Sequence, residues 1–118
     1  MTADGTQRTL LEAERQAALD RLAALERDHA GIVDAAHSAN SDDEHDPEGA
    51  TVAYEREHIA ALLDQTRNQL TRVDLALRRI DEGTYGLCER CGKPIAAGRL
   101  EARPTATTCI TCAKQADH

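Results

Sequence analysis

The fold turns on residues 70–91, which read Leu70-Thr71-Arg72-Val73-Asp74-Leu75-Ala76-Leu77-Arg78-Arg79-Ile80-Asp81-Glu82-Gly83-Thr84-Tyr85-Gly86-Leu87-Cys88-Glu89-Arg90-Cys91. The first half repeats apolar residues at Leu70, Val73, Leu77 and Ile80, a spacing that lines up one face of an α-helix. Gly83 follows Glu82 and is placed to end that helix in a left-handed conformation. Two cysteines separated by two residues then open a different kind of module. A helix therefore stops at Gly83, and a cysteine-bearing segment begins.

Working back from Leu70, the same spacing continues through Val52, Arg56, Ile59, Leu63 and Thr66, interrupted only by Arg56 and Thr66. An earlier run, Leu11, Arg15, Ala18, Leu22, Leu25, His29, Ile32 and Ala36, is interrupted only by Arg15 and His29. Periodicity of 3.5 residues sustained over four heptads predicts packed helices rather than strands. Asp46-Pro47-Glu48 supplies an N-cap, a proline at the first helical position and an acid in the first turn. The expected helices span roughly 7–36 and 47–82, with a polar turn over 38–45. A connection this short makes antiparallel neighbours the default, so the two stripes face each other within one chain. Folding back sets Ile32 at the level of Val52 and Arg56, Leu25 at that of Ile59 and Leu63, and Leu11 at that of Val73 and Leu77. A seam consumed within the chain predicts a monomer.

Composition agrees. Ala, Glu, Lys, Leu and Arg supply 57 of 118 residues, close to the roughly one-half typical of long helices. Phe and Trp are absent, and Tyr54 and Tyr85 are the only large aromatics, which argues against a wide enzyme core. No stretch approaches the ~18 uninterrupted apolar residues of a membrane span. Residues 1–82 carry nine basic and eighteen acidic side chains, a balance of −9; residues 83–118 carry five and three, a balance of +2. These two regions are the expected domains, a hairpin with an acidic tip near 38–50 and a cysteine module. An acidic chain is a poor generic DNA binder, because phosphate neutralisation supplies most non-specific affinity. The first twenty residues lack a basic segment followed by an apolar run, so no secretory signal is expected and the cytoplasm is the expected compartment.

Cys88-x-x-Cys91 and Cys109-x-x-Cys112 are separated by 17 residues, the spacing of a four-cysteine zinc site. Two residues between thiolates allow one tight turn to present both sulfurs to a tetrahedral ion, and Gly92 offers the positive φ such a turn commonly needs. Four sulfur ligands leave no open position for water, so one zinc ion is expected in a structural role, and no catalytic residue is assigned. A redox-active Cys-x-x-Cys would need a βαβ scaffold, of which the sequence gives no sign. A region this small, with Leu87, Ile95, Leu100 and Ile110 as its main aliphatics, needs the metal to fold. Cys112 is expected to open a short C-terminal helix through Gln115.

Residues 83–95, with Arg99-Leu100-Glu101-Ala102-Arg103-Pro104-Thr105 and Cys109-Ile110-Thr111-Cys112, resemble the four-cysteine finger of the DksA/TraR family. The resemblance implies a bacterial transcription regulator that binds RNA polymerase rather than DNA. It implies that a coiled coil enters the polymerase secondary channel and brings an acidic tip near the catalytic centre. The family's tip pattern is Asp-Pro-x-Asp-x-Ala. Asp46 and Pro47 match it, Gly49 stands in place of the second Asp, and Thr51 in place of Ala. Asp46 carries over as the tip contact, with Glu48 a neighbouring carboxylate. Read from the residues alone, the cluster Asp42, Asp43, Glu44, Asp46 and Glu48 is either a solvated loop, with Asp46 only capping a helix, or a negative probe for a cationic site.

The fold expected is therefore all-α: an antiparallel two-helix coiled-coil hairpin, then a C4 zinc finger and a short C-terminal helix. The expected function is transcription regulation through RNA polymerase, without enzymatic turnover, membrane attachment or sequence-specific DNA binding. The competing expectation is a zinc-stabilised protein-docking module that has lost the channel activity, for which Gly49 is the motivating residue.

Overall fold

The heptad stripes fold as helices. A computed structural model describes residues 2–40 and 47–116, with side chains over 5–32 and 51–115. Helix α1 spans Thr2–Asn40 and α2 spans Pro47–Glu82; the short helices α3, Ala97–Ala102, and α4, Ile110–Ala116, belong to the cysteine module. The architecture is an antiparallel helical hairpin followed by the finger. No strand occurs among the described residues, only an isolated antiparallel bridge between Leu87 and Pro94.

The bounds of α2 coincide with the expected 47–82. Helix α1 is longer than the expected 7–36 and takes in residues 38–40, assigned by sequence to the turn; Ala35, Ala36 and Ala39 are strong helix formers that carry it on. Helix α4 starts at Ile110, two residues earlier than expected. Helix α3 has no counterpart in the sequence reading. Its N-cap, Ala96, makes no side-chain capping bond, so the usual start signal is missing.

The contacts fall into two units, one joining the residues up to Gln16 with those from Thr71 onward, the other spanning Ala17–Leu70. In the first, Leu11 and Val73 are 0% exposed and pack with Ala76, flanked by Leu77, Ile80 and Tyr85. The expected Leu11–Val73–Leu77 level is thus observed. Arg15, a seam position by strict heptad counting, turns to the flank and its Nε donates to Asp74 Oδ1 at 2.7 Å. Arg8, one heptad earlier, pairs with Asp81. Gln7 and Ala76 occupy buried positions in their stead. An α-helix drifts ~20° per heptad from a 3.5-residue repeat, and that drift moves such positions across the edge of the stripe.

In the second unit Ala18, Leu25, Leu63 and Thr66 are buried. Thr66 breaks the apolar pattern without leaving an orphan, because its hydroxyl donates to Leu62 O at 2.8 Å, the back-bond open to a helical threonine. Arg67 reaches Glu26 across the helices at 3.9 Å, beside the expected Leu25–Leu63 level. Ile32, Val52 and Ile59 line a common open groove with Gly31. Among the described residues, no helix is long and apolar enough to cross a membrane.

Candidate metal centre

The finger is launched by the end of α2. Gly83 has φ +79°, its N–H donates to Ile80 O at 3.2 Å, and the N–H of Thr84 donates to Arg79 O at 2.9 Å. These two bonds are the Schellman closure, which satisfies the last helical carbonyls and turns the chain sharply. Tyr85 then packs against the Leu11–Val73 cluster. Its hydroxyl donates to Pro104 O at 2.8 Å and lies 3.4 Å from Gln7 Oε1, which gives the buried glutamine a polar neighbour.

Two tight turns present the sulfurs. The first closes with Gly92 N–H donating to Cys88 O at 2.9 Å and Cys88 N–H donating to Lys93 O at 2.8 Å, with Gly92 at φ +76° as its position requires. In the second, Ala113 N–H donates to Cys109 O at 2.9 Å, so the first turn of α4 carries Cys112. The turns are joined by Glu89 N–H donating to Thr107 O at 2.9 Å, and Arg99 Nε ties the lead-in segment by donating to Thr108 O at 2.9 Å. Cys88, Ile95 and Cys112 form the buried core of the finger, with Leu100 and Cys109 packed against them; Cys91 is at the surface.

The four sulfurs of Cys88, Cys91, Cys109 and Cys112 all lie within 4.8 Å of one another. Sulfurs arranged tetrahedrally at ~2.3 Å from a zinc ion would be separated by about 3.8 Å. The Cys91 and Cys109 sulfurs are 3.8 Å apart. That is far beyond the ~2.05 Å of a disulfide and suits a shared cation. The electrostatics agree. N–H groups of Cys91 and Cys109 aimed at the Cys88 sulfur lower its pKa to about 6, and the N–H of Cys112 lowers that of Cys109. The same crowding raises Cys112 to about 12, chiefly because its thiol shares a hydrogen bond with the Cys109 sulfur, and secondarily through burial. Backbone dipoles thus stabilise thiolates where four cannot coexist unaided, and a divalent cation resolves the conflict.

All four cysteines named from the sequence come together. Arg79, not named there, contacts the finger with its guanidinium from the last turn of α2. Nothing in its sequence context separates it from the neighbouring Arg78. Asp46, expected as the tip contact, lies outside the described residues. Glu48 falls in the first turn of α2, and its side chain likewise lies outside them.

With this geometry in hand, the likeness to known proteins has a physical counterpart. Residues 83–118 match the family described as the prokaryotic dksA/traR C4-type zinc finger. A protein from Caulobacter vibrioides named RNA polymerase-binding transcription factor DksA is 51% identical over 47 residues, which are 40% of this chain and 33% of that protein. The protein of the same name from Haemophilus influenzae is 36% identical over 69 residues, 56% of this chain and 48% of that one. These matches thus span between a third and a half of the relatives' length. The solved structure of transcription factor DksA2 from Pseudomonas aeruginosa superposes with a TM-score of 0.83 at 26% identity, covering 99% of this chain and 84% of that one. A helical hairpin thus ends in a finger of the prokaryotic dksA/traR C4 type over residues 83–118, with one structural zinc ion, on a chain whose fold is similar to that of the DksA2 transcription factor.

Proposed function

We propose that the protein is a transcription regulator that binds RNA polymerase directly, with its hairpin entering the secondary channel. The observation that carries this reading is the likeness to the DksA2 transcription factor over 99% of the chain, hairpin included, rather than over the finger alone. Two relatives that share the finger are named as RNA polymerase-binding factors. In this reading residues 1–82 form the probing hairpin and residues 83–118 the finger. Cys88, Cys91, Cys109 and Cys112 ligate the zinc, which fixes the finger and performs no chemistry. The protein acts as a monomer in the cytoplasm, has no turnover of its own and makes no sequence-specific contact with DNA. Asp46 is the tip contact, with Glu48 beside it.

Gly49 and Thr51 favour a second reading, in which the scaffold docks on a protein partner but the tip is passive. The two readings separate in a purified transcription assay with core polymerase, wild type, Asp46→Asn and Gly49→Asp. Asn caps a helix about as well as Asp, so Asp46→Asn tests charge rather than folding. The expected result is that all three bind polymerase, that Asp46→Asn loses the effect on initiation, and that Gly49→Asp strengthens it. If all three bind and behave alike on transcription, the docking module is the better account. Failure to bind polymerase overturns the first reading, and tighter salt-sensitive binding to bare DNA overturns both.

A further inference from the structure

One side chain links the last turn of α2 to the finger. Arg79 is only 20% exposed; its Nη2 donates to Leu87 O at 2.7 Å and lies 3.5 Å from Thr84 O. Its Nη1 is 3.7 Å from Glu89 Oε2. Leu87 and Glu89 are the residues on either side of Cys88. Glu89 is held from its far side as well, since Thr107 Oγ1 donates to Glu89 Oε1 at 3.2 Å and Glu89 N–H donates to Thr107 O. Thr107 precedes Cys109 by two residues. A chain of polar contacts therefore runs from α2, past the leading cysteine of the first pair, to the segment that delivers the second pair.

The backbone and side-chain roles of Arg79 are separable. Its carbonyl accepts from the N–H groups of Thr84 and Tyr85 whatever side chain is present, so substitution leaves the helix closure in place. The guanidinium alone supplies the contacts to Leu87 and Glu89. Glu89 faces a cation at 3.7 Å on one side and accepts from a hydroxyl on the other, while the short charge-assisted bond of the set runs from Arg79 to Leu87 O. Groups just outside a metal's ligands commonly govern metal affinity because they fix how those ligands are oriented.

We infer that Arg79 is a positioning residue for the metal centre: with Glu89 and Thr107 it preorganises both cysteine pairs and slows the loss of zinc. None of the three is a ligand. The inference rests on the assignment of zinc to Cys88, Cys91, Cys109 and Cys112. It also ties metal occupancy of the finger to the integrity of the last turn of α2.

The test is the rate at which the zinc-loaded full chain surrenders metal to excess chromophoric chelator at fixed pH, with far-ultraviolet circular dichroism recorded in parallel. Wild type, Arg79→Gln, Glu89→Ala, Thr107→Val and the double variants are compared, with the exposed neighbour Arg78→Gln as control. Arg79→Gln and Glu89→Ala should each release zinc about tenfold faster with helical signal retained, the scale of losing an outer-shell partner. Their combination should fall short of the product of the two effects, because both break the shared Arg79–Glu89 link. Thr107→Val should accelerate release about threefold, because the backbone bond from Glu89 N–H to Thr107 O survives it, and Arg78→Gln should match wild type. Release from Arg79→Gln at the wild-type rate, or effects of Arg79→Gln and Glu89→Ala that multiply, overturns the inference. If Arg79→Gln does not fold, the Glu89→Ala and Thr107→Val pair decides on the same rule of faster but non-multiplying release. A wild-type chain that holds no zinc overturns the metal assignment itself, an outcome visible before any variant is compared.

Discussion

The two units of the chain use the same heptad pattern to different ends. Where the residues up to Gln16 meet those from Thr71 onward, the apolar contact is sealed, with Leu11 and Val73 fully buried and the Arg8–Asp81 and Arg15–Asp74 pairs on the flank. Within Ala17–Leu70 the stripe is more open among the described residues. Among them, Ala18, Leu25, Leu63 and Thr66 are buried, the Arg67–Glu26 pair stands at 3.9 Å, and Gly31, Ile32, Val52 and Ile59 leave a groove open. Periodicity alone does not distinguish the two. The difference lies in what accompanies the stripe: the sealed unit includes the finger, whose Tyr85 packs against the Leu11–Val73 cluster.

The largest effect expected is on the finger. Structural zinc supplies on the order of 10 kcal/mol of folding free energy in small modules of this kind. Chelation, or Cys112→Ser, should therefore remove fixed structure from the finger while most helical circular dichroism survives. The long helices hold 39 and 36 residues against 6 and 7 in the short ones, so the survival is readily measured. Loss of most of the helical signal with the metal would break the comparison, since the hairpin would then depend on the finger.

A smaller effect separates the two stretches of seam. Leu11→Ala should cost about 3 kcal/mol and Leu25→Ala about 2 kcal/mol in urea unfolding, because the cost of a cavity follows burial and the scope for collapse. Equal costs would erase the distinction between a sealed and a loose seam.

The smallest effect carries the opposite sign. Among the described residues, a Cβ added at Gly31 would meet nothing within 4 Å, so Gly31→Ala should raise stability by about 1 kcal/mol through helix propensity alone. A thermal melt reads this directly. A loss of stability would mean that the groove at Gly31 is filled, contrary to the loose seam.

Most of this organisation was legible in the sequence, and the reasons are specific. The bounds of α2 follow from Pro47 at its start and Gly83 at its end, two residues whose backbone restrictions act locally. The four cysteines are legible because a metal imposes a spacing. The level of Leu11 with Val73 follows from folding two stripes of similar length around a polar turn. What was hidden depends on three-dimensional detail. Arg15 and Gln7 exchange core and flank because helical drift is invisible to a fixed heptad count. Helix α3 lacks a capping residue, and Arg79 differs from Arg78 only in the direction in which it points.

The two flanking ion pairs carry a rule about how such a hairpin can change length. Arg8 with Asp81 and Arg15 with Asp74 are displaced by seven residues on each helix, in opposite senses, so both pairs obey one register. Deleting a single residue from one arm would rotate everything beyond it by about 100° and turn one member of a pair away from its partner. Removing seven from each arm between Gln16 and Thr71 would keep both pairs and return every stripe residue to its face. Reach is thus quantised in this architecture: viable natural or engineered variants should shorten or extend by matched heptads, and never by one arm alone.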